Sequence, residues 1–363
     1  MSSAQKHLGN LALNGIPVIA AVAFAIGWFV HPTVAVLYLF GGVLIAAVFA
    51  AVHHAEVIAA RVGEPFGSLV LAVAVTIVEV GMIVTLMLES PNTTQSLAQE
   101  TVFSALMLIC NGIVGLSLLV KSVKKHEAVF TPEGVSGALA AIAVLATLTL
   151  VFPSLTASAP GTAFTPFQLG FVAVIALVLY LVFVFVQTVR HRDYFLPPGP
   201  SSSDESHVER PSTASALMSL GLLVLALVGV VGLAKLTSPL LKEAILGAGL
   251  PSTLVAVSIA VIVLLPESIA AIRAALVGRS QTSLNLAYGS ALASIGLTIP
   301  VIAVLSLSFG FPLQLGLNPA EITLLALTML VSILTVLPGK ATVLQGAVHL
   351  AILGSFLAFV IQP

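Results

Sequence analysis

Long apolar stretches separated by short polar breaks dominate the chain. Pro, Gly, Asn and charged residues mark the breaks, and each stretch has about 20 residues, enough for a helix to cross the hydrocarbon layer of a bilayer. The stretches are continuously apolar, whereas a membrane β-barrel shows short alternating segments. The pattern predicts an all-α polytopic membrane protein with about 11 transmembrane helices, at approximately 13–30, 33–52, 67–88, 101–120, 134–152, 166–188, 214–235, 252–277, 284–308, 319–337 and 340–361.

Composition agrees with this class. The chain is 59% hydrophobic and 7% charged, whereas soluble domains have about 25% charged residues. The formal net charge of −1 gives no basis for binding nucleic acid. The single cysteine, Cys110, lies in an apolar run and excludes an intramolecular disulfide.

Lysine and arginine are distributed unevenly between the two sides that this helix order implies. With the N-terminus in the cytoplasm, all of the 13 basic residues except Lys235 and Lys242 fall in cytoplasmic segments. Because cytoplasmic loops carry the excess of basic residues, we predict a cytoplasmic N-terminus and a periplasmic or extracellular C-terminus. The first apolar stretch has no obvious cleavage site, so we interpret it as a retained helix, with a cleaved signal peptide as the alternative.

The longest polar stretch divides the chain into two halves. It reads HRDYFLPPGPSSSDESHVERPSTAS, and its Pro, Ser and charged residues predict a flexible cytoplasmic linker at 191–213. We therefore predict an extra N-terminal helix within 1–32 and five-helix repeats at 33–190 and 214–363. Because five is odd, equivalent helices in the two repeats run in opposite directions across the membrane. This is the inverted-repeat architecture of secondary transporters.

Each half contains one glutamate deep inside an apolar stretch. Glu79 ends the run SLVLAVAVTIVE, and Glu267 ends the similar run AVSIAVIVLLPE. A carboxylate at this depth costs at least about 2.5–3.5 kcal/mol on insertion scales and marks a functional site by default. We predict that the two glutamates share one site, where they bind a cation or protons. A structural role, with each glutamate bonding neighbouring helices, is the alternative.

Other polar groups inside the stretches are candidates for secondary cation ligands, although packing or hydrogen bonding between helices would explain them as well. They are Thr76, Asn111, Ser290, Ser294 and Gln345. Pro266 removes a backbone N–H next to Glu267, and a kink there would free carbonyl oxygens for a cation. His349 could pass protons, with hydrogen bonding to a neighbouring helix as the simpler interpretation. His53, His54 and Glu56 resemble a metal-binding cluster, but we expect them at a helix end where interfacial water solvates them.

Four segments resemble the calcium/cation antiporter superfamily, in its cation/proton exchanger branch with the bacterial ChaA-type members. They are HAEVIAARVGEPFGSLVLAVAVTIVEV at 54–80, LLPESIAAIRAAL at 264–276, NLAYGSALASIGLTIPV at 285–301 and GKATVLQGAVHLA at 339–351. The resemblance covers nearly the whole chain. It implies proton-driven export of calcium, with sodium or potassium also exported, and two repeats whose glutamates, here Glu79 and Glu267, bind the cation.

The residues before the two glutamates depart from that family. Its G-N-A-x pattern is replaced by Val75-Thr76-Ile77-Val78 and by Val263-Leu264-Leu265-Pro266, so both asparagine ligands are missing. A glutamine of the family's ninth helix corresponds to Ala293. Fewer side-chain oxygens make exchange of monovalent cations a plausible alternative to calcium exchange.

The sequence thus predicts a secondary antiporter that exports Ca²⁺, with Na⁺ or K⁺ as further ions, in exchange for H⁺ by alternating access. We expect no permanently bound cofactor, because the ions are substrates. The expected partners are the lipid bilayer, inorganic cations and protons, and a homo-oligomer is compatible with this class. A cation channel and a monovalent-selective Na⁺(K⁺)/H⁺ antiporter are the alternatives. An intramembrane enzyme would need a motif such as HExxH or paired aspartates, and the stretches contain none.

Overall fold

The computed structural model describes residues 3–30, 32–63, 66–89, 95–156, 161–196 and 211–362. Side chains are described within these ranges except at 3–12, 66–69, 71 and 89. Most of the predicted linker, residues 197–210, lies outside the described residues. Its first part is ordered, because Arg192–Phe195 form a 3₁₀ turn and Asn285 Nδ2 donates to the Phe195 carbonyl oxygen at 2.6 Å.

Eleven long helices make up almost all of the described structure. They are α1 Ser3–Phe29, α2 Val34–Val62, α3 Phe66–Glu89, α4 Leu97–Lys125, α5 Pro132–Leu155, α6 Pro166–Arg190, α7 Thr213–Gly247, α8 Thr253–Leu276, α9 Ser280–Phe309, α10 Pro319–Val336 and α11 Val343–Ile361. Two strands, β1 Ala128–Val129 and β2 Lys340–Ala341, pair antiparallel between helices.

The helices have the length and composition of membrane spans. Among the described residues, nine of the eleven are long and apolar enough to cross a membrane, and α1 and α3 contain the shorter apolar segments Leu13–Phe29 and Ala72–Leu88. Every predicted apolar stretch coincides with one of the eleven helices. The prediction of an all-α polytopic membrane protein with about 11 helices is confirmed.

Local sequence signals fix the starts of three of these helices. Thr165, Asn318 and Thr342 each accept a hydrogen bond from a backbone N–H of the first turn, and the side chain three residues later accepts from their own backbone N–H. These reciprocal pairs are capping boxes, which satisfy N–H groups that have no partner inside the helix. Proline follows the cap in α6 and α10, at a position where its missing N–H costs nothing.

The first compact unit contains residues 1–89 and 203–255, and so α1, α2, α3 and α7. Helix α7 packs against α1, α2 and α3. Gly229 lets α7 approach α1 closely, since a Cβ added there would lie 2.7 Å from the Cβ of Ala20. Small residues of this kind permit dense packing between membrane helices.

The second compact unit contains residues 90–202 and 256–363. It comprises α4, α5, α6, α9, α10, α11 and all of α8 except its first three residues. Helix α11 packs along the second half of α4 in the opposite direction, where Gly115 and Gly346 bring the backbones together. Each compact unit therefore draws helices from both halves of the chain. The repeats predicted at 33–190 and 214–363 stay a prediction, because they concern internal symmetry rather than packing.

Four helices of the second unit contain a π turn, in which one extra residue widens the helix. The turns are Leu108–Ile113 in α4, Thr147–Val151 in α5, Val186–Arg190 in α6 and Ser294–Thr298 in α9. Helices α4 and α9 are the third helices of the two predicted repeats. The π turn of α4 packs against α9, and that of α9 packs against the first part of α4.

Candidate functional site

Glu79 lies well inside α3, in the first compact unit. It comes 13 residues after Phe66 in a helix of 24 residues, so roughly 20 Å of helix precedes it. The residue is only 4% exposed, and Thr76, one turn earlier on the same face, is also buried. Thr76 and Glu79 thus lie one turn apart on a buried face of α3, and the role of Thr76 as a secondary ligand stays a prediction.

Glu267 occupies the corresponding place in α8, within the second compact unit. It comes 14 residues after Thr253 in another helix of 24 residues, and it is half-buried. Pro266 deprives the Ile262 carbonyl of its intrahelical donor, yet the helix continues without interruption to Leu276. Each half of the chain therefore holds a glutamate at almost the same position of an equally long helix.

Asn111 is fully engaged with its neighbours inside the second unit. It belongs to the π turn of α4 and is fully buried. Its Nδ2 donates to Thr328 Oγ1 at 3.0 Å, and its Oδ1 lies 3.2 Å from His349 Nδ1. The side chain of Asn111 therefore connects α4 to both α10 and α11.

The two candidate serines of α9 lie next to its π turn. Ser290 is half-buried in the α-helical part, and Ser294 is the buried first residue of the π turn. Asn111 and Ser294, each chosen from sequence, thus fall in the π turns of α4 and α9. Such turns are rare in proteins, and those that occur are often found at functional sites.

Gln345 lies in the first turn of α11 rather than in its middle. Its Oε1 accepts from the backbone N–H of Thr342 at 2.9 Å and from the Thr342 hydroxyl at 2.6 Å. The capping box explains why a glutamine stands here. The structure gives its side chain a role in starting the helix.

The expectation that interfacial water solvates the histidines of α2 is wrong for His54. Its side chain is 1% exposed, and its Nδ1 lies 3.4 Å from the hydroxyl of Ser219 on α7. His54 is buried because α7 covers this side of α2. Among the described residues, no group of three His, Cys, Asp or Glu side chains is placed to hold a metal ion.

Sequence reasoning missed a stripe of hydroxyl groups on α10. Thr328, Ser332 and Thr335 are all buried, and two of them bond to the side chains of α4 and α11 described above. Their spacing of four and three residues places them on one face of an otherwise apolar helix. That spacing was the available signal.

Comparisons with known proteins agree with this architecture. The family described as sodium/calcium exchanger protein matches residues 32–189 and 218–362. The y4hA protein of Sinorhizobium fredii (strain NBRC 101917 / NGR234) is 47% identical over 325 residues, 90% of this chain and 88% of that protein. The sodium-potassium/proton antiporter ChaA of Escherichia coli (strain K12) is 32% identical over 316 residues, 86% of this chain and 85% of that protein.

Solved structures share the fold. The H⁺/Ca²⁺ exchanger CAX superposes with a TM-score of 0.73 at 16% identity, covering 98% of this chain and 89% of that chain. Native YfkE gives the same TM-score and identity, covering 97% of this chain and all of that chain. The chain belongs to the sodium/calcium exchanger family, and it is a multi-pass membrane transporter that exchanges cations and not an enzyme.

Proposed function

We propose that the chain exports a cation in exchange for protons by alternating access, with Glu79 and Glu267 as the shared cation and proton site. One observation carries this proposal: each half places a glutamate at almost the same position of a mostly apolar helix of 24 residues. Glutamates in hydrocarbon are expensive and are found where ions pass. Sites between repeats are the rule in secondary transporters.

The same two carboxylates account for the coupling. Carboxylate oxygens are ligands that hard cations prefer, and two of them balance a divalent charge. In a low-dielectric site without a cation, the neutral acid is favoured over two neighbouring negative charges. Cation and protons therefore compete for the same oxygens. The cation-bound protein carries the cation across the membrane, and the protonated protein carries the protons back.

Calcium is the first candidate ion, with sodium and potassium as the second. Two carboxylates suit Ca²⁺, and the fold is shared with an H⁺/Ca²⁺ exchanger. The monovalent alternative is favoured by the 32% identity to a protein named sodium-potassium/proton antiporter, and by the absence of the family's two asparagines before the glutamates.

Orientation and location complete the proposal. The excess of Lys and Arg puts the N-terminus in the cytoplasm and the C-terminus on the opposite side of a bacterial inner membrane. The transported cation and protons are substrates, and no resident cofactor is required. The cation then binds from the cytoplasm and leaves on the other side, and the proton gradient drives the export.

The test is proton flux in everted membrane vesicles on addition of Ca²⁺, Na⁺ or K⁺. We expect Glu79→Gln and Glu267→Gln each to reduce cation-dependent flux to the level of vesicles without the protein. Glu127→Gln is the matched control, because Glu127 is an exposed carboxylate in an ion pair at 3.1 Å from Lys340. Protein amount and monodispersity in detergent should be equal in all variants.

Three outcomes would contradict parts of the proposal. Substantial exchange in either glutamine variant excludes the two-carboxylate mechanism. Cation flux that an imposed pH gradient cannot drive uphill identifies a channel. Flux with Na⁺ or K⁺ and none with Ca²⁺ selects the monovalent antiporter.

A further inference from the structure

Four buried side chains are joined by a chain of three hydrogen bonds among three helices of the second unit. Asn111 on α4 donates to Thr328 on α10 at 3.0 Å, and it lies 3.2 Å from His349 Nδ1 on α11. His349 Nε2 lies 3.2 Å from Thr335 Oγ1, again on α10. The two ends of this chain, Thr328 and Thr335, lie two turns apart on one face of α10. We call these four residues the three-helix clasp.

Every member of the three-helix clasp has a defined role as donor or acceptor. The Asn111 amide group donates to Thr328, so its carbonyl oxygen accepts the hydrogen of His349 Nδ1. His349 Nε2 then accepts from the Thr335 hydroxyl, and Thr328 donates to the Met107 sulfur at 3.5 Å. A neutral imidazole with its hydrogen on Nδ1 satisfies the whole set. A fully satisfied buried network of this kind specifies one arrangement of its helices.

The three-helix clasp includes one residue of the π turn of α4. Asn111 is a residue of that turn, and its Oδ1 lies 3.2 Å from Nδ1 of His349 on α11. Glycines let α11 come close enough, since a Cβ on Gly115 would lie 3.0 Å from the Cβ of His349. A π turn replaces regular helical hydrogen bonds with wider ones, so it persists where surrounding contacts stabilise it.

The position of this turn links it to transport. Helices α4 and α9 are the third helices of the two predicted repeats, and each packs its π turn against the other helix. Irregular backbone at membrane depth occurs where it is covered by protein or lines a polar cavity. In secondary transporters such irregular segments lie at the substrate site.

We propose that the three-helix clasp holds the π turn of α4 in the conformation that cation exchange requires, and that His349 is a positioning residue for exchange. This inference rests on the proposed exchange activity. His349 touches no ion in the proposal. It acts by fixing Asn111 and the turn around it.

The test compares three substitutions of His349 in everted vesicles. His349→Leu removes both ring contacts, and losing buried hydrogen bonds should raise the KM for the transported cation about fivefold. His349→Asn keeps a donor at the place of Nδ1, and should restore KM to within about twofold of the unsubstituted protein. His349→Gln instead reaches the place of Nε2, and should resemble His349→Leu.

Controls separate positioning from folding. Ser355→Ala removes a hydroxyl of α11 that bonds only to its own helix, at 2.9 Å from the Ala351 carbonyl oxygen, and should leave KM unchanged. Thermal unfolding in detergent is measured for each variant. If His349→Leu does not accumulate, Thr335→Val takes its place, since it removes only the donor to Nε2 and should raise KM about twofold to threefold.

Each outcome is decisive. Equal KM values for His349→Leu and His349→Asn overturn the role of the Asn111 contact. A lower unfolding temperature with an unchanged KM shows a purely structural network, and also overturns the inference. Lack of exchange by the unsubstituted protein contradicts the proposed function itself, which distinguishes the two failures.

Discussion

Nε2 of His54 donates a hydrogen bond at 3.3 Å to the backbone carbonyl oxygen of Leu13, on α1 of the same compact unit. The reason is Pro17, which lies inside α1 four residues after Leu13 and has no N–H to offer that carbonyl. The acceptor that proline leaves open in one helix is thus satisfied by a histidine of the next.

This relationship predicts a coupling between two substitutions. His54→Ala should lower the free energy of unfolding by about 1–3 kcal/mol, because it leaves a buried carbonyl oxygen without a donor. In a Pro17→Ala background the loss should be clearly smaller, because the new N–H of residue 17 reaches the Leu13 carbonyl. Unfolding in detergent of the two single variants and the double variant measures the coupling. Additive losses would show that the two residues are independent.

The contact between α4 and α11 predicts opposite effects for two glycines of one helix. A Cβ on Gly346 would lie 2.8 Å from the Leu119 nitrogen and 2.9 Å from the Gly115 carbonyl oxygen, both backbone atoms that cannot turn away. Gly346→Ala should destabilise by about 1–3 kcal/mol through overpacking. Gly354→Ala has nothing within 4 Å and should be neutral or slightly stabilising. The unfolding temperatures of both variants in detergent test this prediction. Equal effects of the two substitutions would contradict the close contact between α4 and α11.

Cys110 makes labelling a clean measure of orientation. It is the single cysteine and is fully buried, so we expect no reaction with a maleimide in the folded protein. An exposed cysteine at Ala248→Cys should react with a membrane-impermeant maleimide in intact cells, and one at Lys124→Cys only in everted vesicles. The reverse pattern would show that the N-terminus lies outside the cytoplasm.

The ion pair between Lys340 and Glu127 should contribute little to stability. The two groups are 3.1 Å apart, but their side chains are 58% and 43% exposed. Such exposed pairs contribute about 0–1 kcal/mol and are screened by salt. Lys340→Gln should therefore lower the unfolding temperature slightly at low salt. At 1 M salt it should have no effect, because the Debye length is then only about 3 Å. A large shift at high salt would mean that Lys340 has another role.

The helices were predictable because apolar runs of membrane length end at Pro, Gly and charged residues. All eleven predicted stretches coincide with helices of the structure. The positions of Glu79 and Glu267 well inside their helices followed from the same runs. Gln345 shows a signal that was present but overlooked: Thr342 and Gln345 have the spacing of a capping box. The apolar residues around Gln345 instead suggested a position in the middle of a membrane helix.

The contacts of Asn111 and His349 could not be predicted. Their hydrogen bond joins residues 238 positions apart, and no local pattern specifies which helices meet. The π turns leave no sequence signature either, because the residues within them also suit a regular helix. The burial of His54 could not be predicted either, because it depends on the packing of α7 against α2.

The pairing of β1 with β2 bears on the order in which the protein is assembled. Ala128 lies opposite Ala341, and the Phe130 N–H donates to the Gly339 carbonyl oxygen at 3.0 Å. During synthesis the loop between α4 and α5 leaves the ribosome long before residues 339–341 exist. Gly112 and Gly115 of α4, which pack against α11, likewise lack these neighbours until α11 has been made. The second unit thus closes only after α11 has been inserted, and until then α4 must be stabilised by other helices or by the insertion machinery.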